Sequence, residues 1–377
     1  MKKEGKEKAP FAKAMAILIG TTVGAGIFGI PYVVAKAGFL IGLIHLLVLG
    51  AIVLLINLFT GEIALRTKKR HMLAGYAEKY LGKTGKTVMA LTAIFGIFGA
   101  LIAYLIGEGE VLSAIFGNNP MIFSIGFFVI ASAIIWFDLR AVAGSELLLS
   151  GIMLAIIIII SALALPNVDL DNLKTFDIGK FFLPYGVVLF AFVGASAVPE
   201  MKGVLKQEKK MLRNAIVFGT IIPFVIYLIF TFVVVGITGI GTTEVATVGL
   251  GEALGKYMVF LGNIFAVFAM ATSFIVLGLA LKWMFHYDYG LPRGISWLIT
   301  CFIPLIIFLA GARSFIGVIG LTGAVAGGVE SILLILTAKM AKKKGERKPE
   351  YAVPLNWFIA IMLIALFMAG IVYQFLF

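Results

Sequence analysis

The chain has 377 residues, of which 61% are hydrophobic and 13% are charged, and its mean hydropathy is +1.09. Soluble domains carry about 25% charged residues, so this composition excludes a soluble globular protein and predicts one that lies in a membrane. The net charge is +12, but the basic residues cluster between apolar runs, which favours membrane topology over nucleic-acid binding as its cause.

Eleven apolar runs, each near the roughly 20 residues that cross a bilayer as a helix, follow one another along the chain. They begin near Ala14, Ala37, Thr87, Met121, Leu147, Phe181, Asn214, Tyr257, Gly294, Ser314 and Tyr351. We therefore predict an all-α polytopic membrane protein with eleven transmembrane helices and no separate soluble domain.

The distribution of Lys and Arg predicts the orientation of these helices. If the N-terminus is cytoplasmic, 26 of the 31 basic residues fall in cytoplasmic segments, as the positive-inside rule requires. The five that fall outside are Lys36, Lys174, Lys180, Lys256 and Arg313. We expect a multi-pass protein of the cell membrane with its N-terminus in the cytoplasm and its C-terminus outside.

Two of the runs contain helix-breaking residues. Residues 20–31 of the first run hold four glycines, two threonines and Pro31, and residues 192–200 of the sixth run hold Gly194 and Pro199. An unpaired backbone N–H or C=O costs several kcal/mol in hydrocarbon, so a break is tolerated only where protein, water or a ligand fills the gap. Close helix packing is the alternative explanation for the glycines.

The two breaks occupy corresponding places in two halves of the chain. Five runs separate their starts, so the two broken helices cross the membrane in opposite directions, and this arrangement points to the binding site of a transporter. We predict an inverted repeat of five plus five helices, with the first repeat at about 12–168 and the second at about 181–340. One extra helix follows at about 352–375.

Several motifs resemble the amino acid and auxin permeases, most closely the aromatic and hydroxy amino acid permeases. They are residues 20–32 (Gly-Thr-Thr-Val-Gly-Ala-Gly-Ile-Phe-Gly-Ile-Pro-Tyr), Glu62, residues 77–82, residues 103–107, Pro199 with Glu200, and residues 271–274. The resemblance implies membership of the amino acid, polyamine and organocation superfamily and the leucine transporter fold. It also implies a transporter rather than an enzyme.

The resemblance implies a substrate site at the breaks. A helix N-terminus carries about half a positive charge and free N–H donors, which suits the substrate carboxylate at Ala25 and Gly26. Freed carbonyls would accept from the α-ammonium, and Tyr104 would lie beside the substrate unless it serves only packing. The expected substrate-binding residues are Thr21, Thr22, Gly24, Ala25, Gly26, Tyr104, Phe192, Val193, Ala195 and Ser196.

The eighth run carries a possible cation site. Ala269, Thr272 and Ser273 stand at i, i+3 and i+4 and share one helix face. Their oxygens, with the carbonyls of Gly20 and Val23, would make five ligands of the kind that hard cations prefer, and the set resembles a sodium site. The alternative is that the two hydroxyls only bond back to carbonyls of their own helix.

Proton coupling is the competing mechanism, and the permeases that the chain resembles are generally regarded as proton-driven. Carboxyl groups within a membrane are functional candidates by default. We single out Glu330, which interrupts an otherwise uncharged run at residues 314–338, and Glu108 in the third run.

These patterns together predict a secondary active importer of a neutral, hydrophobic or aromatic amino acid, coupled to sodium or a proton. We expect no cofactor besides the coupling ion, no nucleic-acid partner, a lipid bilayer as surroundings, and function as a monomer. An uncoupled exchanger or a nutrient sensor on the same fold is the alternative. Three His, one Cys and no nucleotide-binding motif argue against a membrane-embedded enzyme or an ATP-driven pump.

Overall fold

The computed structural model describes residues 2–138, 146–206 and 208–376, and this part of the chain is all-α, as predicted. The first half comprises α1 (Lys2–Thr22), α2 (Gly26–Ala37), α3 (Phe39–Arg66), α4 (Leu73–Phe116), α5 (Pro120–Trp136), α6 (Glu146–Ala164) and α7 (Leu183–Phe192). The second half comprises α8 (Val198–Leu205), α9 (Leu212–Thr238), α10 (Ala246–Leu254), α11 (Lys256–Trp283), α12 (Arg293–Leu309), α13 (Phe315–Thr322), α14 (Gly328–Lys344) and α15 (Trp357–Leu376).

Within the described residues, seven helical segments are long and apolar enough to cross a membrane, and α1 with α2 forms an eighth as a bent pair. Three shorter apolar helices, within α5, α6 and α12, account for the remaining predicted runs. They are at the short end of what crosses a bilayer. The multi-pass membrane character is confirmed, whereas the count of eleven crossings and the inverted repeat stay predictions.

Both predicted helix breaks are present. The helix of the first run stops at Thr22 and restarts at Gly26 with a bend of 53°. The helix of the sixth run stops at Phe192, and Val193 and Gly194 leave helical geometry before a short 3-10 turn leads into α8. Both breaks contain glycine residues. Pro199 lies in the first turn of α8, where its missing N–H would have no helical partner in any case.

The core of the protein surrounds these two breaks. Phe28 of α2, Phe192 of α7 and Tyr227 of α9 are fully buried. The long helix α4, which bends at Gly82 with φ 81°, packs against α5, α11, α12, α13 and α14 and forms one wall. The broken helices α1/α2 and α7/α8 pack against α3 and α9 on the other side. Long helices therefore lie on two sides of the breaks.

A buried carboxylate joins three segments at the end of α3. Glu62, which is 1% exposed, accepts from Arg66 Nε at 2.8 Å, from Lys342 Nζ of α14 at 2.7 Å and from the Val353 N–H at 2.9 Å. Nearby, the hydrogen bond from the Lys79 ammonium holds the pKa of Glu346 below its usual range. These contacts tie the segment between α14 and α15 to α3.

We predict that Glu62→Gln destabilises the protein by on the order of 3 kcal/mol, because it leaves two cations without the carboxylate that they face in a buried site. Thermal unfolding in detergent measures the effect. The matched control is Glu78→Gln, whose partner Lys86 is exposed, and it should change the stability little or not at all. Equal unfolding temperatures for the two variants would show that the Glu62 contacts do not hold the segments together.

Candidate functional site

The two breaks touch each other. A Cβ atom on Gly26 would lie 2.5 Å from Ala191 Cα, and one on Gly194 would lie 2.7 Å from Thr22 Oγ1. At position 26 the Cβ would meet the backbone of Ala191, so glycine is needed there for α2 and α7 to meet. At position 194 it would meet the Thr22 side chain, which would have to shift. The atoms that a Cβ on Gly26 would meet all belong to Ala191. Close packing therefore accounts for the glycine at position 26.

Backbone donors are free at the start of α2. Within the described residues, the N–H groups of Gly24, Ala25 and Gly26 make no hydrogen bond to protein, and Ala25 caps the helix without a side-chain bond. A helix of 12 residues with free N-terminal donors presents a partial positive charge there. The geometry can accept an anion such as a carboxylate.

Backbone acceptors of the two helix ends converge on one side chain. The hydroxyl of Tyr227, on α9, lies 2.8 Å from the carbonyl oxygen of Thr22 and 2.9 Å from that of Ala191. The expected binding residues include Thr22 but not Ala191. Tyr227 was not predicted, because it stands in an apolar run like many other aromatic residues. Only the folded chain shows that this residue reaches both breaks.

The side chains of Thr21 and Thr22 bond within α1. Thr21 Oγ1 donates to the Ile17 carbonyl at 2.8 Å, and Thr22 Oγ1 donates to the Leu18 carbonyl at 2.8 Å. Their hydroxyl protons are thus used locally. That their backbone carbonyls bind the ligand stays a prediction.

Gly24 is the point where three helices meet. A Cβ atom there would lie 3.5 Å from the Tyr104 hydroxyl of α4 and 3.9 Å from Ser273 Oγ of α11. Tyr104 is buried, and its hydroxyl faces Ser273. The structure therefore brings together a predicted substrate residue, a predicted cation ligand and the first break.

The hydroxyl of Thr272 has partners in its own helix. Thr272 Oγ1 donates to the Phe268 carbonyl at 2.8 Å and lies 3.2 Å from the Ala269 carbonyl. This is the arrangement expected if the residue serves only its own helix. The oxygen keeps lone pairs, so the geometry still allows a cation, but it does not require one.

The two carboxyl groups singled out differ in their surroundings. Glu108 is 0% exposed, and its oxygens make no hydrogen bond of good geometry among the described residues, with the Ala271 backbone as their nearest polar neighbour. It lines an apolar cavity of about 470 Å³ between α4, α5 and α11, together with Phe127 and Ala271. Glu330 on α14 is half-buried and forms no ion pair within the described part of the chain.

The other expected substrate residues divide by exposure. Phe192 is fully buried and stacks on Phe224, with ring centroids 6.4 Å apart. Its ring centroid lies 5.2 Å from that of Tyr227. Ala195 is buried and Val193 is half-buried. Thr21 and Ser196 are exposed, although they flank breaks in the middle of the apolar helices. Other helices of the protein therefore leave one side of the joined breaks uncovered.

The contacts of the two glycines predict different outcomes for matched variants. Gly24→Ala should fold, because its Cβ meets only ordinary contacts, but the added methyl group should weaken amino acid binding on the order of tenfold. Gly26→Ala should lower the yield of folded protein, because the added methyl group would clash with the Ala191 backbone, which cannot move aside. Size-exclusion chromatography and binding of labelled amino acid measure the two effects. Equal behaviour of both variants would contradict the described contacts.

Comparison with known proteins places this chain in a family of transporters. The chain is 26% identical over 323 residues to "Glutamine transporter 2" of Aliivibrio fischeri, covering 82% of this chain and 83% of that protein. It is 26% identical over 332 residues to "Tyrosine-specific transport system 1" of Haemophilus influenzae, covering 81% and 82%. Among solved structures, MhsT in complex with L-phenylalanine superposes with a TM-score of 0.67 at 14% identity, covering 97% of both chains.

The chain thus shares the fold of MhsT, which is the leucine transporter fold. The relatives are transporters and not enzymes. The model of the tryptophan/tyrosine permease family matches residues 7–374, almost the whole sequence. The chain belongs to the tryptophan/tyrosine permease family and is an amino acid permease.

Proposed function

We propose that this permease is a secondary active importer of a neutral, hydrophobic or aromatic amino acid, working by symport and alternating access. One observation carries the proposal. The free N–H groups at the start of α2 and the carbonyls at the ends of α1 and α7 lie at the same pair of breaks. Helix ends of opposite partial charge side by side match the carboxylate and ammonium of one amino acid.

The lining of the site supports a hydrophobic side chain. Phe192 with Phe224, and Phe28 with Phe265 at 5.6 Å, place apolar rings beside the breaks. The names of two relatives include glutamine and tyrosine, both neutral amino acids. Aromatic rings favour a substrate that buries apolar area when it binds.

We favour a proton as the coupling ion, with Glu108 as its carrier. Tyr104 lies one helical turn from Glu108 on α4, and it faces the break through Ser273 and Gly24. An ionised carboxylate without a partner is very costly in an apolar interior, so Glu108 should hold a proton in this conformation. A conformation that admits water or a cation would release it.

Sodium is the second candidate, at Gly20, Val23, Ala269, Thr272 and Ser273. The proximity of Ser273 to Gly24 supports it, whereas the bonds of Thr272 to its own helix favour the proton.

Alternating access would follow from rocking of α1/α2, α3, α7/α8 and α9 against the remaining helices. The ion drives uptake only if it binds the two conformations with different affinity. With the N-terminus in the cytoplasm, the exposed Thr21 and Ser196 would face inward. We propose that one monomer carries the complete pathway. An uncoupled exchanger or a nutrient sensor remains the alternative on the same fold.

Uptake into proteoliposomes tests the proposed function. A pH gradient should drive accumulation of tyrosine, tryptophan or another neutral amino acid, because the proton would travel down its gradient with the substrate. A sodium gradient at constant pH is the parallel arm. If neither gradient causes accumulation but preloaded amino acid speeds uptake, the protein is an exchanger and the symport proposal is wrong.

Glu108→Gln should abolish accumulation driven by the pH gradient and retain exchange, because glutamine keeps the shape of the side chain but carries no transferable proton. The matched control is Glu110→Gln, two residues further along α4 and half-buried. It should retain most of the driven uptake. Full accumulation by Glu108→Gln would remove Glu108 as the proton carrier.

Thr272→Val tests the sodium alternative, since it removes one proposed ligand and keeps the volume. If sodium is the coupling ion, sodium-driven uptake should be lost in this variant. Unchanged sodium-driven uptake would refute the five-oxygen site.

A further inference from the structure

Two helices end where hydrocarbon would otherwise surround their last carbonyl groups. The last four C=O groups of an α-helix have no partner within the helix, and α1 ends at Thr22 while α7 ends at Phe192. Inside a membrane each unsatisfied group costs several kcal/mol. The breaks therefore need donors from elsewhere in the protein.

Tyr227 supplies such a donor to both breaks at once. Its side chain is 0% exposed, and its hydroxyl is within hydrogen-bond distance of the Thr22 and Ala191 carbonyls, at 2.8 and 2.9 Å. The ring is fixed by Phe192, whose centroid lies 5.2 Å away and which in turn stacks on Phe224. The oxygen atom is thus held at a defined place between two helix ends.

One hydroxyl cannot satisfy two carbonyls fully. A tyrosine carries a single O–H proton, so one of the two acceptors is always short of a donor or the bond is shared. Both acceptors belong to helix C-termini, each with about half a negative charge. The position between these two carbonyls therefore favours a second donor that is positively charged. A primary ammonium group meets this requirement, because it has three N–H donors.

We propose that Tyr227 is a positioning residue for the substrate ammonium, holding the Thr22 and Ala191 carbonyls at the separation at which one amine can bond to both. The inference rests on the proposed amino acid transport and assigns Tyr227 of α9 to the substrate site. The hydroxyl gives up part of its bond when the ammonium arrives, and it restores the bond when the ammonium leaves. The two breaks consequently keep their mutual position in the empty and the loaded protein.

The test compares an amino acid with an analogue that lacks only the amine. Binding of L-tyrosine and competition by 3-(4-hydroxyphenyl)propionate are measured on the purified full chain, with L-tryptophan and indole-3-propionate as a second pair. Tyr227→Phe should raise the Kd of the amino acid about tenfold and change the affinity of the deamino analogue less than about twofold. Equal weakening of both ligands, or no weakening of the amino acid, would overturn the proposal.

Tyr185→Phe is the matched control. Tyr185 of α7 is also buried, but its hydroxyl has no hydrogen-bond partner among the described residues. Removing that oxygen should leave both ligand affinities unchanged. If Tyr185→Phe lost as much amino acid affinity as Tyr227→Phe, the cause would be the apolar packing around α7 and not the Tyr227 hydroxyl.

A measurement without ligand separates this inference from the proposed function. Thermal unfolding of the empty protein should occur at a lower temperature in Tyr227→Phe and not in Tyr185→Phe, because only the first removes the donor that the two buried carbonyls share. If the wild type binds no amino acid and Tyr227→Phe still unfolds earlier, the transport proposal and the amine assignment fail while the bridge between the breaks stands. An unchanged unfolding temperature overturns the bridge itself.

Discussion

The structure depends on one constraint, which is that a helix interrupted within a membrane must find partners for its freed backbone groups. Two helices are interrupted here, and each helps to complete the other. Gly26 lets α2 approach Ala191, Gly194 lets the second break approach Thr22, and Tyr227 donates to a carbonyl from each. Among the described residues, the N–H donors at the start of α2 also have no protein partner. They define what a ligand must bring, namely an acceptor that is preferably negative.

This constraint also explains the surrounding architecture. A pair of breaks would be unstable on a lipid-facing surface, and the long helix α9 packs against both halves of the first broken helix. α4 contributes Tyr104 and α11 contributes Ser273, so both reach the first break at Gly24. α4 also carries Glu108 one turn away from Tyr104, which offers a physical connection between the substrate site and a group able to carry a proton. Binding and coupling are thus proposed for neighbouring turns of one rigid helix.

Much of this arrangement could be predicted from the sequence, because apolar length and helix-breaking residues are local properties. The apolar runs predicted an all-α membrane protein, and the glycines with Pro31 and Pro199 located both helix breaks. The reason for Gly26 could not be predicted, since its neighbour Ala191 lies 165 positions away and only folding brings the two together. Tyr227 was missed for the same reason, because its spacing does not distinguish it from other aromatic residues. The bonds of Thr272 to its own helix were foreseen as an alternative, and the sequence could not choose between that role and a cation site.

The most direct test of the account is whether a bound amino acid covers the accessible side of the joined breaks. The chain has a single cysteine, Cys301, which is buried, so Thr21→Cys and Ser196→Cys can each be introduced alongside Cys301→Ser and labelled with a maleimide. Saturating amino acid should slow the labelling at both positions and leave an exposed control, Thr87→Cys on α4, unaffected. Labelling that proceeds at the same rate with and without a transported amino acid would contradict a binding site between the two broken helices.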